Sequence, residues 1–213
     1  MATPSPAWFE RDPLELAPLL LGGVLRRADA EGAVAVRVTE VEAYRGADDP
    51  GAHSFRGRTA RNATMFGPGG HVYCYFTYGM HHAVNVVAGP AGSGWGVLVR
   101  AGAVVEGAEL ALERRSARRA SAPSGELARG PGNVAQALGA TLADDGAALG
   151  GAASDGAAWS FEPAAGSSPP AFRTGPRVGV SGPGGDAAAF PWRFWLPGEP
   201  SVSAYRAAAR RRR

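Results

Sequence analysis

Asp12, Pro13 and Glu15 stand at the head of a leucine-rich run and predict a helix. Aspartate caps the free amides, proline suits the first helical position, and glutamate follows three residues after the cap. Pro18 predicts a kink in that helix and Gly22 with Gly23 its end. From Val34 to Tyr44 apolar residues alternate with other types, the period of a strand. Its even positions put Val34, Val36, Val38, Glu40, Glu42 and Tyr44 on one face, passing from an apolar end to an acidic and phenolic one. Val72 to Tyr78 predicts a second strand turned at Gly79, with a third over Val84 to Val87 and a fourth over Val97 to Arg100. Helical spacing covers Glu106 to Arg119, with Glu109 and Glu113 one turn apart. A short helix is predicted from Pro131 to Leu138, closed by Gly139. Val178 to Val180 and Trp192 to Leu196 read as late strands that complete the sheet. The pattern predicts a single α+β domain with short strands.

Two connections differ in kind. Residues 46–70 are rich in Gly, Pro, Asp and Arg, as an ordered surface loop would be, and a loop of that length points to function. Residues 140–170 are dominated by Ala, Gly, Ser and Asp; with little to bury, they are expected to form a variable, partly mobile connection.

Composition narrows the partners. The chain has 213 residues and a net charge of +3, but Arg210 to Arg213 supply four of the positive charges. Without them 18 basic side chains face 19 acidic ones. A polyanion surface must therefore be local, with residues 207–213 expected as a disordered Arg-rich tail that is either merely solvated or adds a diffuse attraction to nucleic acid. All 22 basic residues are arginine, which closes Schiff-base chemistry through a lysine and the Walker A phosphate loop. A single cysteine, Cys74, permits no internal disulfide and fits a reducing cytoplasm. No apolar run reaches the length of a membrane span, and no secretory signal opens the chain.

Candidate chemistry concentrates between Val38 and Asn85. Glu42, sharing a strand face with valines, would hold a partly desolvated carboxylate able to take a proton from water. A solvated glutamate at a strand end is the plainer reading of the same pattern. Four of the five tyrosines fall here: Tyr44, Tyr73, Tyr75 and Tyr78. Tyr73 and Tyr75 share a face, as a base-stacking platform requires, and Tyr78 sits at a strand tip from which a ring can project; core tyrosines with satisfied hydroxyls would look similar. Arg56, Arg58 and Arg61 resemble a phosphate-contacting loop or an ordinary solvated charge run. His53, His71, His81, His82 and Cys74 follow no zinc spacing, so no metal is expected.

Several long motifs, in one order from about Trp8 to Arg206, carry a resemblance. They are EVEAY, His53 nine residues beyond Tyr44, GRTARNATMF, YCYFTYGMHHAVNVV, VLVRAGAVVEG, LARGPGNVAQALG, GPRVGVS and WRFWLPGEPSVSAYR. Together they resemble the alkyladenine (3-methyladenine) DNA glycosylase family in its bacterial form. The resemblance implies a curved antiparallel sheet flanked by helices, like the C-terminal domain of formyltransferases. It implies a cofactor-free monofunctional enzyme, a monomer in the cytoplasm associated with the nucleoid. Such an enzyme flips an alkylated or deaminated purine from double-stranded DNA and hydrolyses its N-glycosidic bond. By the same resemblance Glu42 is the general base and Arg100 its support. Tyr44, His53, Tyr75, Asn85 and Leu98 form the base pocket, Asn85 excluding normal guanine, and Tyr78 is the intercalating wedge. The competing reading is a non-catalytic nucleic-acid-binding module, which would gain nothing from a carboxylate beside its stacking platform.

Overall fold

The fold turns on a phase change in its longest strand. In the computed structural model, which describes residues 3–77, 81–116, 126–166 and 168–208, β2 runs over Gly32–Arg45. Its core side chains are Val34, Val36 and Val38, and then Val41 and Ala43. Even positions give way to odd ones because Thr39 is an extra residue in the ladder. Val38 pairs with Gly102 and Glu40 with Ala101 on β5 (Trp95–Glu106), so two steps on β2 meet one on β5. The compensating bulge follows at once: Glu40 pairs with Ala101 and Val41 with Val99, leaving Arg100 as the extra residue of β5. Such paired β-bulges re-aim side chains. The single even-numbered face expected for Val34 to Tyr44 is thereby corrected. The valines point into the core, while Glu40, Glu42 and Tyr44 point away from it.

Two helices precede β2. They are α1 (Pro6–Phe9) and α2 (Pro13–Leu20), and the Asp12 carboxylate caps α2 by accepting the Leu14 N–H at 2.9 Å. Pro18 is accommodated within α2, which buries Leu16 and Leu20 against β2. Between them and β2 lies β1 (Val24–Asp29), which the periodicity reading passed over. Its sequence, VLRRAD, hides a buried arginine, Arg27, behind a polar pattern.

The remaining strands are β3 (Val72–Thr77), β4 (His81–Ala88), β6 (Ala128–Arg129), β7 (Ala158–Glu162), β8 (Arg173–Gly175) and β9 (Arg193–Trp195). The described strands form one sheet in the order β3-β4-β5-β2-β1-β7, all pairs antiparallel, with β6 on β5 and β8 and β9 on the far side of β2. β2 thus changes partner at its bulge: residues 32–37 pair with β1, and Glu40 to Glu42 pair with β9. Close approach at this crossing excludes a side chain at Gly102, where a Cβ would lie 2.3 Å from Val36 Cγ1. Two further helices, α3 (Ala108–Ser116) and α4 (Pro131–Leu138), pack on one another, and α4 covers β4 and β5. α4 ends on Gly139 in the left-handed conformation, as its position predicted. The α+β class read from the pattern is therefore the class observed.

Three boundary expectations change. Glu106 closes β5 instead of opening a helix, α3 begins at Ala108, and residues 117–125 lie outside the described residues. Val178 to Val180 form a turn, because their backbone serves the site described below. Residues 140–170 do have something to bury: Trp159 and Phe161 on β7 enter the core, and Asp144 is fully buried. Of the tail, residues 209–213 lie outside the described residues.

Candidate active site

On the sheet face opposite the core, one transverse row of side chains crosses five strands. Cross-strand partners on an antiparallel sheet project from the same face. Following the register, Tyr73 (β3) stands beside Asn85 (β4), Asn85 beside Leu98 (β5), Leu98 beside Glu42 (β2), and Glu42 beside Arg193 (β9). Two residue pairs further along, on the same face, Tyr75 lies opposite Ala83. From Tyr73 to Glu42 the row floors a cavity of about 420 Å³, closed by Tyr44, His53 and Met65, by Arg100 and by the turn from Val178 to Ser181. That size falls within the ~300–1,000 Å³ typical of small-ligand sites.

The Glu42 end is the polar end. Its carboxylate is buried, and every partner is a donor or a cation. Oε1 accepts the Val178 N–H at 2.7 Å and lies 3.5 Å from Arg100 Nη1; Oε2 accepts the Tyr44 hydroxyl at 2.9 Å. Burial raises the Glu42 pKa above the ordinary carboxylate value, although Arg100, the Val178 amide and the Tyr44 hydroxyl pull it down. Burial and the neighbouring carboxylate drive the Tyr44 phenol well above its usual value, so it keeps its proton and donates it to Glu42. The result is a desolvated base held in one orientation. That is what deprotonating a water requires.

Glu40, the other acid brought over by the bulge, has no face on the cavity. Arg193 Nε and Arg100 Nε meet its Oε1 at 2.6 and 3.0 Å, and Ser203 supplies both its N–H and its hydroxyl. Glu40 therefore fixes Arg100, and Arg100 reaches Glu42.

The far end is aromatic. Tyr73 and Tyr75 stack with centroids 5.3 Å apart and planes 30° apart, and His53 stands edge-on to Tyr75 at 4.6 Å. His53 Nδ1 lies 3.4 Å from the Tyr73 hydroxyl. Crowding by these walls, together with the Arg61 charge, lowers the His53 pKa, so the ring is neutral at pH 7. Burial pushes the Tyr73 hydroxyl up to about 12. The Asn85 amide, which lines the cavity, donates to the Tyr73 carbonyl at 3.1 Å.

The arginine loop is tied to this wall by Asn62, which donates to the His53 and Gly57 carbonyls and accepts the Thr59 N–H. Arg61 bonds the Phe76 carbonyl at 3.1 Å at the cavity edge. Arg56 and Arg58 are exposed, with no hydrogen bond or ion pair to the described residues. Neither they nor Arg61 lines the cavity. Eight residues singled out from sequence do line it: Glu42, Tyr44, His53, Tyr73, Tyr75, Asn85, Leu98 and Arg100. Tyr78 lies outside the described residues. Among those described, no three His, Cys, Asp or Glu side chains are grouped to hold a metal ion. Cys74 is buried in the core, its thiol pushed up to about 12 by burial. No described helix is long and apolar enough to cross a membrane.

Periodicity gave no signal for the groups behind the cavity. Arg193 and Ser203 reach Glu40, the Val178 amide reaches Glu42 and Arg177 reaches the Tyr44 ring, all from the last forty residues of the chain. The only sequence signal was their presence in the GPRVGVS and WRFWLPGEPSVSAYR motifs.

Residues 7–200 match the family described as methylpurine-DNA glycosylase (MPG). Proteins bearing the name "Putative 3-methyladenine DNA glycosylase" from Leifsonia xyli subsp. xyli, Streptomyces avermitilis and Nocardia farcinica are 53%, 50% and 49% identical to this chain. The alignments span 97%, 97% and 93% of the chain, and 94%, 93% and 90% of those relatives. Matched from α1 to beyond β9, with the row from Tyr73 to Arg193 inside the match, the chain belongs to the methylpurine-DNA glycosylase family.

Proposed function

We propose that this protein is a monofunctional DNA glycosylase that receives an extrahelical damaged purine in the aromatic cavity and hydrolyses its bond to the sugar. The observation that carries the reading is the buried Glu42 carboxylate at one end of a row whose other end is the Tyr73–Tyr75 stack. Aromatic faces offset the few kcal/mol lost when a base leaves the duplex stack. A water beside Glu42 attacks C1′ of the sugar. Its proton passes to the carboxylate, the N-glycosidic bond breaks, and its electron pair departs with the base. The sugar develops oxocarbenium character, as in glycoside hydrolysis generally, and a nearby carboxylate stabilises that charge. An alkylated cationic purine leaves as a neutral molecule and needs no acid. With no lysine in the chain, strand cleavage through a lysine imine is closed, so the product is an intact strand with an abasic site.

Tyr78 is assigned in this reading to the space vacated in the duplex. Arg56, Arg58 and Arg61 are assigned to phosphates at the cavity mouth. Tyr78→Ala should weaken affinity for lesion duplex by roughly ten-fold or more, one stacked base's worth; unchanged affinity in a gel-shift titration would remove the wedge role.

The defining test is base release from methylated duplex DNA, analysed before and after hot alkali, with EDTA present. Free methylpurine and strand breaks that appear only after alkali are expected. Breaks without alkali would contradict the monofunctional reading. Binding of lesion duplex with no release would favour the non-catalytic module instead.

A further inference from the structure

Arg177 is a fully buried arginine that does not itself line the cavity, yet it meets two of the groups that hold Glu42 in place, Tyr44 and the turn that carries the Val178 amide. Its two terminal nitrogens form a fork on Asp49, at 2.6 and 2.7 Å, with both side chains wholly out of solvent. The same nitrogens donate to the Ala43 carbonyl at 2.9 Å and the Gly184 carbonyl at 2.8 Å. Its guanidinium lies over the Tyr44 ring at 4.6 Å, and Trp192 and Phe190 stand at 5.3 and 5.8 Å. Ala43 sits between Glu42 and Tyr44 on β2, and Val178 is the next residue after Arg177. One side chain therefore grips the strand between the base and its phenol donor, the ring of that phenol, and the backbone that presents the amide donor. Space around it is tight: a Cβ at Gly51 would lie 2.6 Å from Arg177 Nη2, so the 49–51 turn fits only around this guanidinium.

A buried ion pair is weak support for stability, because hydrophobic groups of similar volume often serve as well. A planar fork that stacks and donates at once is, by contrast, a positioning device that lysine cannot copy. We propose that Arg177, anchored by Asp49, is a positioning residue for the reaction: it sets the Tyr44 hydroxyl and the Val178 amide so that both donors meet Glu42 from fixed directions. The inference rests on the glycosylase reading above and deepens it. Asp49 then belongs to the reaction as well, although it approaches no substrate.

Charged and titratable groups near Glu42 are Tyr44 and Glu40 from its own strand, Arg100 from β5, Arg193 from β9, and Arg177 behind Tyr44. Loosening the two donors removes stabilisation of the ionised carboxylate, so the Glu42 pKa rises further. The test compares wild type with Arg177→Lys. Readouts are the single-turnover rate of methylpurine release, its dependence on pH, and affinity for a duplex carrying a tetrahydrofuran abasic site. Circular dichroism checks folding. Arg177→Lys should lower the rate by about 100-fold, the scale of a small misplacement at a reacting centre, with affinity little changed and the acid limb of the rate moved to higher pH. A folded variant with the wild-type rate and acid limb would overturn the inference, as would rate and affinity falling together with the limb unmoved. If Arg177→Lys does not fold, Asp49→Asn, which keeps the outline but removes the charge, is read by the same three measurements. Failure of both to fold would assign the pair to stability alone and also overturn it. No base release by the wild type would sink the glycosylase reading and this inference with it. Release by the wild type, lost in Glu42→Gln but untouched in Arg177→Lys, would sink this inference only.

Discussion

Glu42→Gln is expected to lower the rate of methylpurine release by on the order of 10³-fold, the middle of the range for a general base, while lesion binding survives. Glutamine keeps the outline of the side chain. Its carbonyl can still accept the Val178 N–H, and Arg100 keeps its contact with Glu40. What disappears is the group that takes the proton from water. Because burial raises the Glu42 pKa, the wild-type rate should fall as pH drops through that raised value, and the glutamine variant should have no such limb. Stability should change in the opposite direction. A carboxyl group whose pKa is raised by folding favours the fold when protonated and opposes it when ionised. Its contribution is fully present below the unfolded pKa and is lost as pH rises through the folded one. The neutral glutamine avoids that loss, so at neutral pH the variant should melt above wild type, with the gain vanishing at acid pH. Single-turnover release and thermal melts across pH check both halves. Undiminished release would end the general-base assignment.

Asp144→Ala should have the largest effect on folding. Asp144 is fully buried and serves three elements at once. Its Oδ1 accepts from Arg27 Nε on β1 at 2.9 Å and from Trp159 Nε1 on β7 at 2.7 Å, and its Oδ2 accepts the Thr141 N–H at 2.7 Å. Alanine there leaves a buried guanidinium with only Asp29 and Asp155 as ion partners, orphans the indole N–H, and removes the reciprocal half of the Thr141 cap. Removing one partner of a buried pair costs about 3–5 kcal/mol, and for a domain of this size that corresponds to roughly 10 °C in melting temperature. Asp144→Asn, which keeps an acceptor, should lose less. A melt within one or two degrees of wild type, on the same size scale, would show that β7 is held by its apolar side chains alone.

Legibility in the sequence followed the range of the forces involved. Caps, helix ends and alternating strands are local, so α2, α4, β2 and the β3–β4 hairpin strands were readable within a few residues of their ends. The eight cavity residues were legible because unusual types cluster along β2 to β5 and because long motifs matched a family. Failures came where a distant partner decides. Thr39 and Arg100 carry no mark of a bulge; each becomes the extra residue only because β5 and β2 slip against one another. The even-face reading of β2 put Glu42 on the same face as the valines, whereas the bulge turns it to the opposite one. Arg27 carries no local mark of burial because Asp144 is more than a hundred residues away. Trp159 and Phe161 alternate in AWSFE, a strand signal masked by the small polar residues around it.

The change of partner along β2 also sets an order of events. Its first half is paired by β1, a neighbour in sequence, and can form early. Its second half waits for β9, and Glu40 meets Arg193 and Ser203 across separations of 153 and 163 residues. Contacts so distant form late, since loop closure must precede them, and domains emerge from the ribosome N-terminus first. A nascent chain still lacking residues 193–203 has its aromatic wall encoded but its Glu40 without Arg193 and Ser203. The polar end of the cavity is thus the last part of the row to be assembled.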